Sequence, residues 1–368
     1  MRPTVAEVDL TAIADNIEAI QRRVAPAQVM AVVKADAYGH GLVPVARVAL
    51  KCGASYLGVA LVEEGITLRN YGFLEPILVF SGAFEHQLAD FFQYNLEVTV
   101  YTKPIADALS QLAVTHQRQI RVHVKVDTGM GRVGVSWEDA VEFVRYLTQL
   151  PGIHLQGIYT HFATSDELDK GFANVQFLRF QHVLSALKEL NIHIPLRHAA
   201  NSGAILDLPE TYLDMVRPGV MMYGYYPSTT TTESVAIRPA MTLKSKVSFV
   251  KWVPSNFSVS YGRQYITSKP TRIASIPIGY ADGYNRLLSN RAVVTIRGKK
   301  FPLVGRVCMD MVMADVGLEH PVEAGDEVIL FGRPEDNAMT VNEICQMLQT
   351  IPYEVTCWVS KRVPRVYI

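Results

Sequence analysis

The feature that most restricts this chain is an alternation sustained from Val5 to about Tyr226, in which short β-branched runs are each followed by an amphipathic segment. "QVMAVV" stops at Lys34 and leads into "GLVPVARVALKCG", "SYLGVA" leads into "LVEEGITLRNYG", and "PILVFSG" into "FEHQLADFFQYN". "LEVTVYT" precedes "KPIADALSQLAVTHQ", "IRVHVKVDTG" precedes "WEDAVEFVRYLTQL", and "IHLQGIYTHFAT" precedes a long segment from Asp166 to Leu190. Two more strand candidates, "PLRHAA" and "MVRPGVMMYG", complete the series. Strands that alternate with helices pair in parallel, because the crossover helix returns the chain to the same end of the sheet. About eight such units in ~230 residues predict an α/β fold closed into a (β/α)8 barrel.

After "STTTTES" (228–234), a Ser/Thr-rich interruption, the pattern changes. "AVVTIRGKKFPLVGRVCMDMVMADV" reads as strands around a turn at Gly298, and "AGDEVILFG" as another strand. One helix is expected there, where Thr340 and Glu343 form a capping-box pattern before "ICQML". The expected division is therefore a barrel over residues 1–230 and a mostly β domain over 231–368.

A chain of 368 residues, 49% hydrophobic and 19% charged, can bury cores of this size. Its 35 basic and 35 acidic side chains balance, which removes the electrostatic basis for binding nucleic acid or a membrane surface. No apolar run approaches the ~20 residues that span a bilayer. Glu7 and Asp9 stand where a signal peptide would need its apolar core. The four cysteines are scattered with no C-x-x-C pair, as expected of reduced thiols in a cytoplasmic protein. The ten histidines show no H-E-x-x-H and no ligand spacing, so no metal centre is expected.

In a (β/α)8 barrel the chemistry gathers where strands finish. The strand ends carry Lys34, Arg132, His161, Asn201 with Ser202, and Arg217. Singly, each is readable as a solvated loop residue; Lys34 either snorkels out of the core or forms an imine with a carbonyl. Together they point to a functional face, since burying several unpaired polar groups by accident is costly. Gly129, Gly131 and Gly134 match G-x-G-x-x-G after a strand, but the acidic residue that a dinucleotide site needs at the end of the next strand is missing from "LPGIHLQGIYT". These glycines read as a tight loop that aims Arg132 into the barrel mouth. His123, inside a strand, reads as a packing residue.

The set resembles the alanine racemases, pyridoxal 5'-phosphate (PLP) enzymes built from a barrel and a β-domain. The matching stretches run nearly end to end: "AVVKADAYGHG", "KVDTGMGRVG", "THFATSDE", "HAANSGA", "VRPGVMMYG", "VSYG", "IPIGYADG", "GRVCMDM" and "VPRVY". The resemblance implies that Lys34 holds PLP through an imine, and that Tyr38, Ser202, the amides of Gly219 and Val220, and Tyr353 receive its phosphate, with Asn201 beside them. Arg217 matches the residue facing the pyridine nitrogen, where an always-protonated group keeps that nitrogen neutral, and His161 buttresses it.

Inversion at an α-carbon needs a proton donor and acceptor on opposite faces. The resemblance assigns one face to Lys34 and the other to Tyr261 of a second chain, hence a homodimer with composite sites. An unperturbed tyrosine titrates near ~10, so Tyr261 needs nearby positive charge, for which Arg132 is the candidate. Arg132 and the Met309 amide match contacts to a substrate carboxylate, with Asp310 in a supporting place. Lys125 matches a position often carbamylated; the bland alternative is a plain lysine paired with an acid. Asp169, Tyr280, Arg286, Arg306 and Tyr353 resemble the lining of a substrate corridor, and Asn285 departs from the proline of many relatives. The implied reaction is the interconversion of L- and D-alanine, with D-alanine going to peptidoglycan. A PLP decarboxylase, a racemase for another small amino acid such as serine, and a non-enzymatic PLP carrier are the alternatives; Arg217, "NSGA" and the full β-domain speak against the first and third.

Overall fold

The structure is a computed structural model and describes residues 2–368. Contacts divide the chain into two compact units, one made of residues 13–37 and 42–237, the other of the N-terminal stretch to Ala12, residues 38–41 and residues 238–368.

The first strand, β1 (Val5–Val8), belongs to the second unit. The first unit holds β2 (Gln28–Val32), β3 (Tyr56–Val59), β4 (Ile77–Val79), β5 (Glu97–Val100) and β6 (Ile120–Asp127). A two-residue β7 (Val135–Ser136) pairs with β6, and β8 (Ile153–Tyr159), β9 (Leu196–His198) and β10 (Met215–Val216) follow. Eight parallel strands run in the order β10-β2-β3-β4-β5-β6-β8-β9. β3, β4 and β5 are buried at every residue, as parallel strands covered on both faces must be. Inside, Met30, Tyr56, Leu78, Tyr159, Leu196 and Met215 from six strands form one packed layer.

The two end strands of that order, β9 and β10, are joined by flanking bonds rather than by a ladder. The Asp214 amide donates to Arg197 O (3.1 Å) and the Arg217 amide to Ala200 O (2.9 Å). Outside the seam, the Asp214 carboxylate accepts from the Arg197 side chain at 2.7 and 2.9 Å. The barrel expected from the sequence is thus present and nearly closed. In "MVRPGVMMYG" only Met215–Val216 is extended, and Val220–Tyr223 forms a 3-10 turn.

β1 corrects the sequence reading, which counted it in the barrel series. It pairs antiparallel with β11 (Met241–Lys246) and parallel with β20 (Arg365–Tyr367). Its burial alternates residue by residue, the mark of a strand with one solvated face; Glu7 on that face meets Lys244 at 2.8 Å. "STTTTES" likewise does not mark the division and packs onto the first unit. Ser228 and Thr230 donate to Asp166 O at 2.5 and 2.8 Å, and Ser234 donates to Leu206 O at 2.9 Å, so the division falls later, before Arg238.

The second unit continues with β12 (Phe249–Val253), β13 (Ser258–Val259), β14 (Tyr265–Ile266), β15 (Thr271–Ile276), β16 (Val293–Ile296), β17 (Lys299–Pro302), β18 (Val312–Asp315) and β19 (Glu327–Phe331). They form a mixed sheet β17-β16-β19-β11-β1-β20, a three-stranded sheet β12-β15-β18 and the hairpin β13-β14. The turn expected at Gly298 joins β16 to β17 with positive φ at Arg297 and Gly298. The Thr340 capping box opens Val341–Leu348 as expected: the Thr340 amide donates to Glu343 Oε2 (2.6 Å) and the Glu343 amide donates back to Thr340 Oγ1 (3.2 Å). A second helix, Pro352–Trp358, follows; its seven residues are too few to show a helical period in sequence. No helix among the described residues is long and apolar enough to cross a membrane.

Asp9, just after β1, ties the N-terminal strand to the rest of its unit. Its carboxylate accepts from Arg333 (2.5 Å), Arg238 (3.0 Å) and the Ala12 amide (2.9 Å). Burial alone would raise this carboxyl, but the three donors outweigh burial and hold it below the usual range. A depressed carboxyl contributes stability above its unfolded value that is lost as pH falls through the folded one. Asp9→Asn is therefore expected to cost about 1–3 kcal/mol at neutral pH, with the wild-type and variant urea midpoints converging as pH drops through the carboxylate range.

Candidate functional site

At the end of β2 the backbone does something rare for L-residues. Ala35, Asp36, Ala37 and Tyr38 all lie in the left-handed region, with φ of 53° to 54°, and Gly39 continues at 84°. Each such residue costs about 1–2 kcal/mol. Alanine carries the Cβ that makes this conformation costly, so polar contacts must hold the turn. The Ala35 amide donates to Glu64 Oε1 at 2.6 Å, and the Leu42 amide donates to Asp36 Oδ1 at 2.8 Å. Glu64 also accepts from the Ala60 and Leu61 amides at 2.8 and 3.1 Å, capping the helix Val62–Asn70. A strained segment this well fastened fixes where Lys34, at its start, projects from the strand end.

Arg217 ends β10 and is buried. Its guanidinium donates to Thr160 O (2.7 Å), Ala199 O (3.0 Å) and His198 Nδ1 (2.9 Å), with His161 Nδ1 at 3.4 Å. It also lies over the Tyr159 ring, 5.1 Å from the centroid. Burial lowers its pKa to about 10, so it stays charged at neutral pH. Lys125 on β6 is buried over the same ring at 4.6 Å. Its Nζ has no hydrogen-bond partner among the described residues, and no acid pairs with it. Burial, then the charges of Arg217 and Arg132, depress the Lys125 amine well below its ordinary value.

His161, after β8, is held well below the ordinary histidine range by burial and then by Lys125, Arg217, Arg132 and Lys34, so its imidazole is neutral. Lys34, Lys125, Arg132 and Arg217 thus lie close enough to His161 to act on it. Arg132 is exposed and makes no hydrogen bond among the described residues. The loop before it turns on Gly129, Gly131 and Gly134, all at positive φ, while Asp127 accepts from the Gly129 and Gly131 amides at 2.9 and 3.1 Å. Ser202, buried after β9, accepts from the Gly219 amide at 3.0 Å, joining two strand-end loops. Asn201 accepts from the Ala204 amide (3.1 Å) and Ser165 (2.8 Å), and so acts as a helix cap. Asp169 is exposed and caps Gly171 at 2.8 Å.

The remaining sequence candidates lie in the second unit. Tyr38 is buried against Tyr353, their rings 5.7 Å apart, and burial raises its phenol first, the neighbouring Tyr353 and Cys357 next. Tyr261 is 71% exposed between Ser260 and Gly262, both at positive φ. The Arg306 guanidinium comes within 3.2 Å of where a Cβ on Gly262 would stand, and Ser260 Oγ donates to Arg306 O at 2.7 Å. Gly279 packs on the Met309 backbone, and the Tyr280 amide donates to Cys308 O at 3.0 Å. Asp310 pairs with Arg362 at 2.7 Å. Arg286 opens a 3-10 turn capped by Asn285, which accepts from the Leu287 amide at 2.9 Å; this is what replaces the missing proline. Tyr261, Tyr280 and Met309 are all exposed residues of this one unit.

Comparison with known proteins settles the family. Residues 8–227 match the family model for the alanine racemase N-terminal domain and residues 240–367 that for its C-terminal domain. The chain belongs to the alanine racemase family. Alanine racemase 2 of Caldanaerobacter subterraneus subsp. tengcongensis is 47% identical over 370 residues, covering 100% of this chain and 95% of that protein. The solved alanine racemase of Clostridium difficile 630 is 39% identical with a TM-score of 0.95, over 100% of this chain and 96% of that one. A histidine racemase from Leuconostoc mesenteroides subsp. sake, 28% identical, superposes with a TM-score of 0.92 over 100% and 98%. An alanine racemase family member is an isomerase, and this chain is an enzyme of that class.

Two members of the site escaped the sequence reading. Glu64 carries a trace in the acidic pair "EE" at the start of a helix, which signals a cap but not a second task on another loop. Gln176, buried in the helix Gly171–Glu189, accepts from the Ala163 amide (2.8 Å) and donates to His161 O (3.1 Å), holding the loop of His161; nothing in its sequence setting marks it. Glu64→Ala is expected to speed amide hydrogen exchange at Ala35, Ala60 and Leu61 at least about tenfold and to lower stability by about 1–3 kcal/mol; unchanged exchange at Ala35 would show that the left-handed turn stands without it.

Proposed function

We propose that this alanine racemase family member interconverts L- and D-alanine with PLP, using Lys34 on one face of the α-carbon and Tyr261 of a second copy on the other. The observation that carries the reading is the pairing, at the strand ends of one barrel, of an amine on a rigid turn with a buried guanidinium that accepts nothing. The donor set suits PLP. Lys34 offers an amine to its aldehyde, and Ser202 with the Gly219 and Val220 amides offers neutral donors to its phosphate. Arg217 offers N–H to the ring nitrogen and, being charged, disfavours protonation there. Tyr38 and Tyr353 keep the phosphate-side role that the resemblance gives them. Held by these residues, PLP would supply imine chemistry toward an amino group and an electron-withdrawing ring beside the α-carbon.

The protein's own groups then do the rest. Arg132, with no internal partner, donates to the substrate carboxylate in bidentate fashion, and the Met309 amide adds a second donor. Lys34 Nζ moves a proton to or from one face, and the Tyr261 phenol oxygen does so at the other. Exposure of Tyr261, Tyr280 and Met309 on one unit supports their burial against another copy. By the family resemblance, D-alanine made in this way feeds cell-wall synthesis.

The likeness to a histidine racemase favours one second reading, the same chemistry on another side chain. Both readings are tested by incubating the PLP-loaded protein with L-alanine, D-alanine, L-serine and L-histidine in deuterated water. Alanine is expected to lose optical activity and gain α-deuterium fastest from either enantiomer. A faster rate with serine or histidine replaces the substrate, and PLP binding without any exchange sinks the proposal. Tyr261→Phe is expected to slow isotope wash-in from one enantiomer at least about tenfold more than from the other, while Lys34→Ala abolishes both the cofactor absorbance and turnover. Equal losses for the two enantiomers would refute separate bases.

Lys125 is the chain's carbamylation site in this reading. Its neutral amine adds to carbon dioxide, forming an N–C bond and releasing a proton, and the resulting anion sits between Arg132 and Arg217. Labelled bicarbonate is expected to give a carbamate carbon signal that Lys125→Ala removes; a signal that persists in the variant assigns it elsewhere.

A further inference from the structure

Behind Arg217 a line of buried polar side chains crosses the barrel interior. His198 on β9 faces Arg217 through Nδ1 at 2.9 Å and His123 through Nε2 at 3.0 Å. His123 on β6 then meets Glu97 Oε2 on β5 through its own Nε2 at 2.9 Å. Both imidazoles are fully buried and Glu97 nearly so. Tyr159 stacks on His198 with centroids 4.7 Å apart, and Tyr56 covers His123 edge-on.

The ends of this line dictate every proton in it. Arg217 can only donate, so His198 Nδ1 must accept and its proton lies on Nε2. That N–H donates to His123 Nδ1, which must then accept, placing the His123 proton on Nε2, where it donates to the Glu97 carboxylate. Both imidazoles are therefore neutral, and all donors point one way, from the guanidinium to the carboxylate. Burial, then Arg217, His123 and Lys125, hold His198 well below the ordinary histidine range, which agrees with a neutral ring. A second feature shows that the space is built for this line. A Cβ on Gly157 of β8 would stand 2.2 Å from His123 Nδ1, the accepting atom, so only glycine leaves the ring in place. The β6–β8 register shifts at His123, opposite Gly157.

We propose that Glu97 is a remote positioning residue for the racemase reaction, acting through a one-way hydrogen-bond wire, Arg217 to His198 to His123 to Glu97, that orients the guanidinium and carries carboxylate charge toward it. Arg217 has no carboxylate among its own hydrogen-bond partners. In a low-dielectric interior each link polarises the next, so the negative end strengthens the lone pair that His198 presents to Arg217. The wire also explains how a cation in a mouth already holding Lys34, Lys125 and Arg132 keeps a single orientation. This inference rests on the proposed function, since it takes Arg217 to be the group that faces the ring nitrogen.

The test combines nitrogen-15 histidine spectra of the full-length protein, with and without PLP, with steady-state kinetics. Wild type is expected to show both His123 and His198 as neutral Nε2–H tautomers. Glu97→Gln keeps the shape and removes the charge; kcat is expected to fall roughly ten- to a hundredfold with KM within about twofold, and Glu97→Asp to recover part of the loss. Gly157→Ala, which displaces His123 while leaving Glu97 intact, is expected to disturb the tautomers and lower kcat in the same way. A proton on His198 Nδ1 in wild type, or unchanged kcat in both Glu97→Gln and Gly157→Ala, overturns the wire. A wild type that racemises no amino acid sinks the functional reading alone, and the tautomer result then decides the wire by itself.

Discussion

The burial of one guanidinium organises much of the barrel. A cation removed from water costs several kcal/mol unless its donors are satisfied, and Arg217 satisfies them with the carbonyls of Thr160 and Ala199 and the imidazole of His198. Those acceptors lie just past β8 and β9 and on β9 itself, next to β10, which Arg217 ends. Its own amide meanwhile bonds Ala200 across the β9–β10 seam. The side chain that the chemistry needs is therefore also a clasp at the least ladder-like part of the barrel. Function and closure draw on the same donors, and a change at this residue acts on both.

The charge distribution follows from that choice. With a cation installed in the mouth, Lys125, His161 and His198 are all pushed toward their neutral forms, burial first and neighbouring charge second. The mouth is left with fixed positive charge and neutral hydrogen-bonding groups, which suits small molecules bearing carboxylate or phosphate. Neutral imidazoles and a neutral lysine also keep lone pairs, and so remain able to accept protons or to be modified.

What was legible in the sequence was whatever is local. β2 to β6 were legible because parallel strands buried on both faces read as apolar runs, β8 to β10 left shorter traces and the two-residue β7 left none, and Lys34, Arg132, His161, Ser202 and Arg217 stood where such runs stopped. Partnership was not legible: "TVAEV" has the composition of a barrel strand, and only its pairing with β11 and β20 moved β1 to the other unit. The Ser/Thr run misled because hydroxyls that bond carbonyls have the same composition as a solvated linker. Tyr261 and Met309 were placed by family likeness alone, since an exposed aromatic in a β-rich tail has no local signature. Glu97 and His123 were out of reach for another reason. Each looked like an isolated polar residue in a strand, and they gain meaning only from neighbours that the closing of the barrel brings together.

The position of β1 has a consequence for how the chain matures. β1 is synthesised before the barrel strands, yet its two partners, β11 (Met241–Lys246) and β20 (Arg365–Tyr367), are synthesised only after them. The barrel strands emerge in between and can pair as they appear, whereas β1 must wait with its apolar face unpaired. At ~5–20 residues per second this delay lasts on the order of tens of seconds. The N-terminal segment is thus the part of the nascent chain most in need of shielding, and the β-rich unit is the last to become whole.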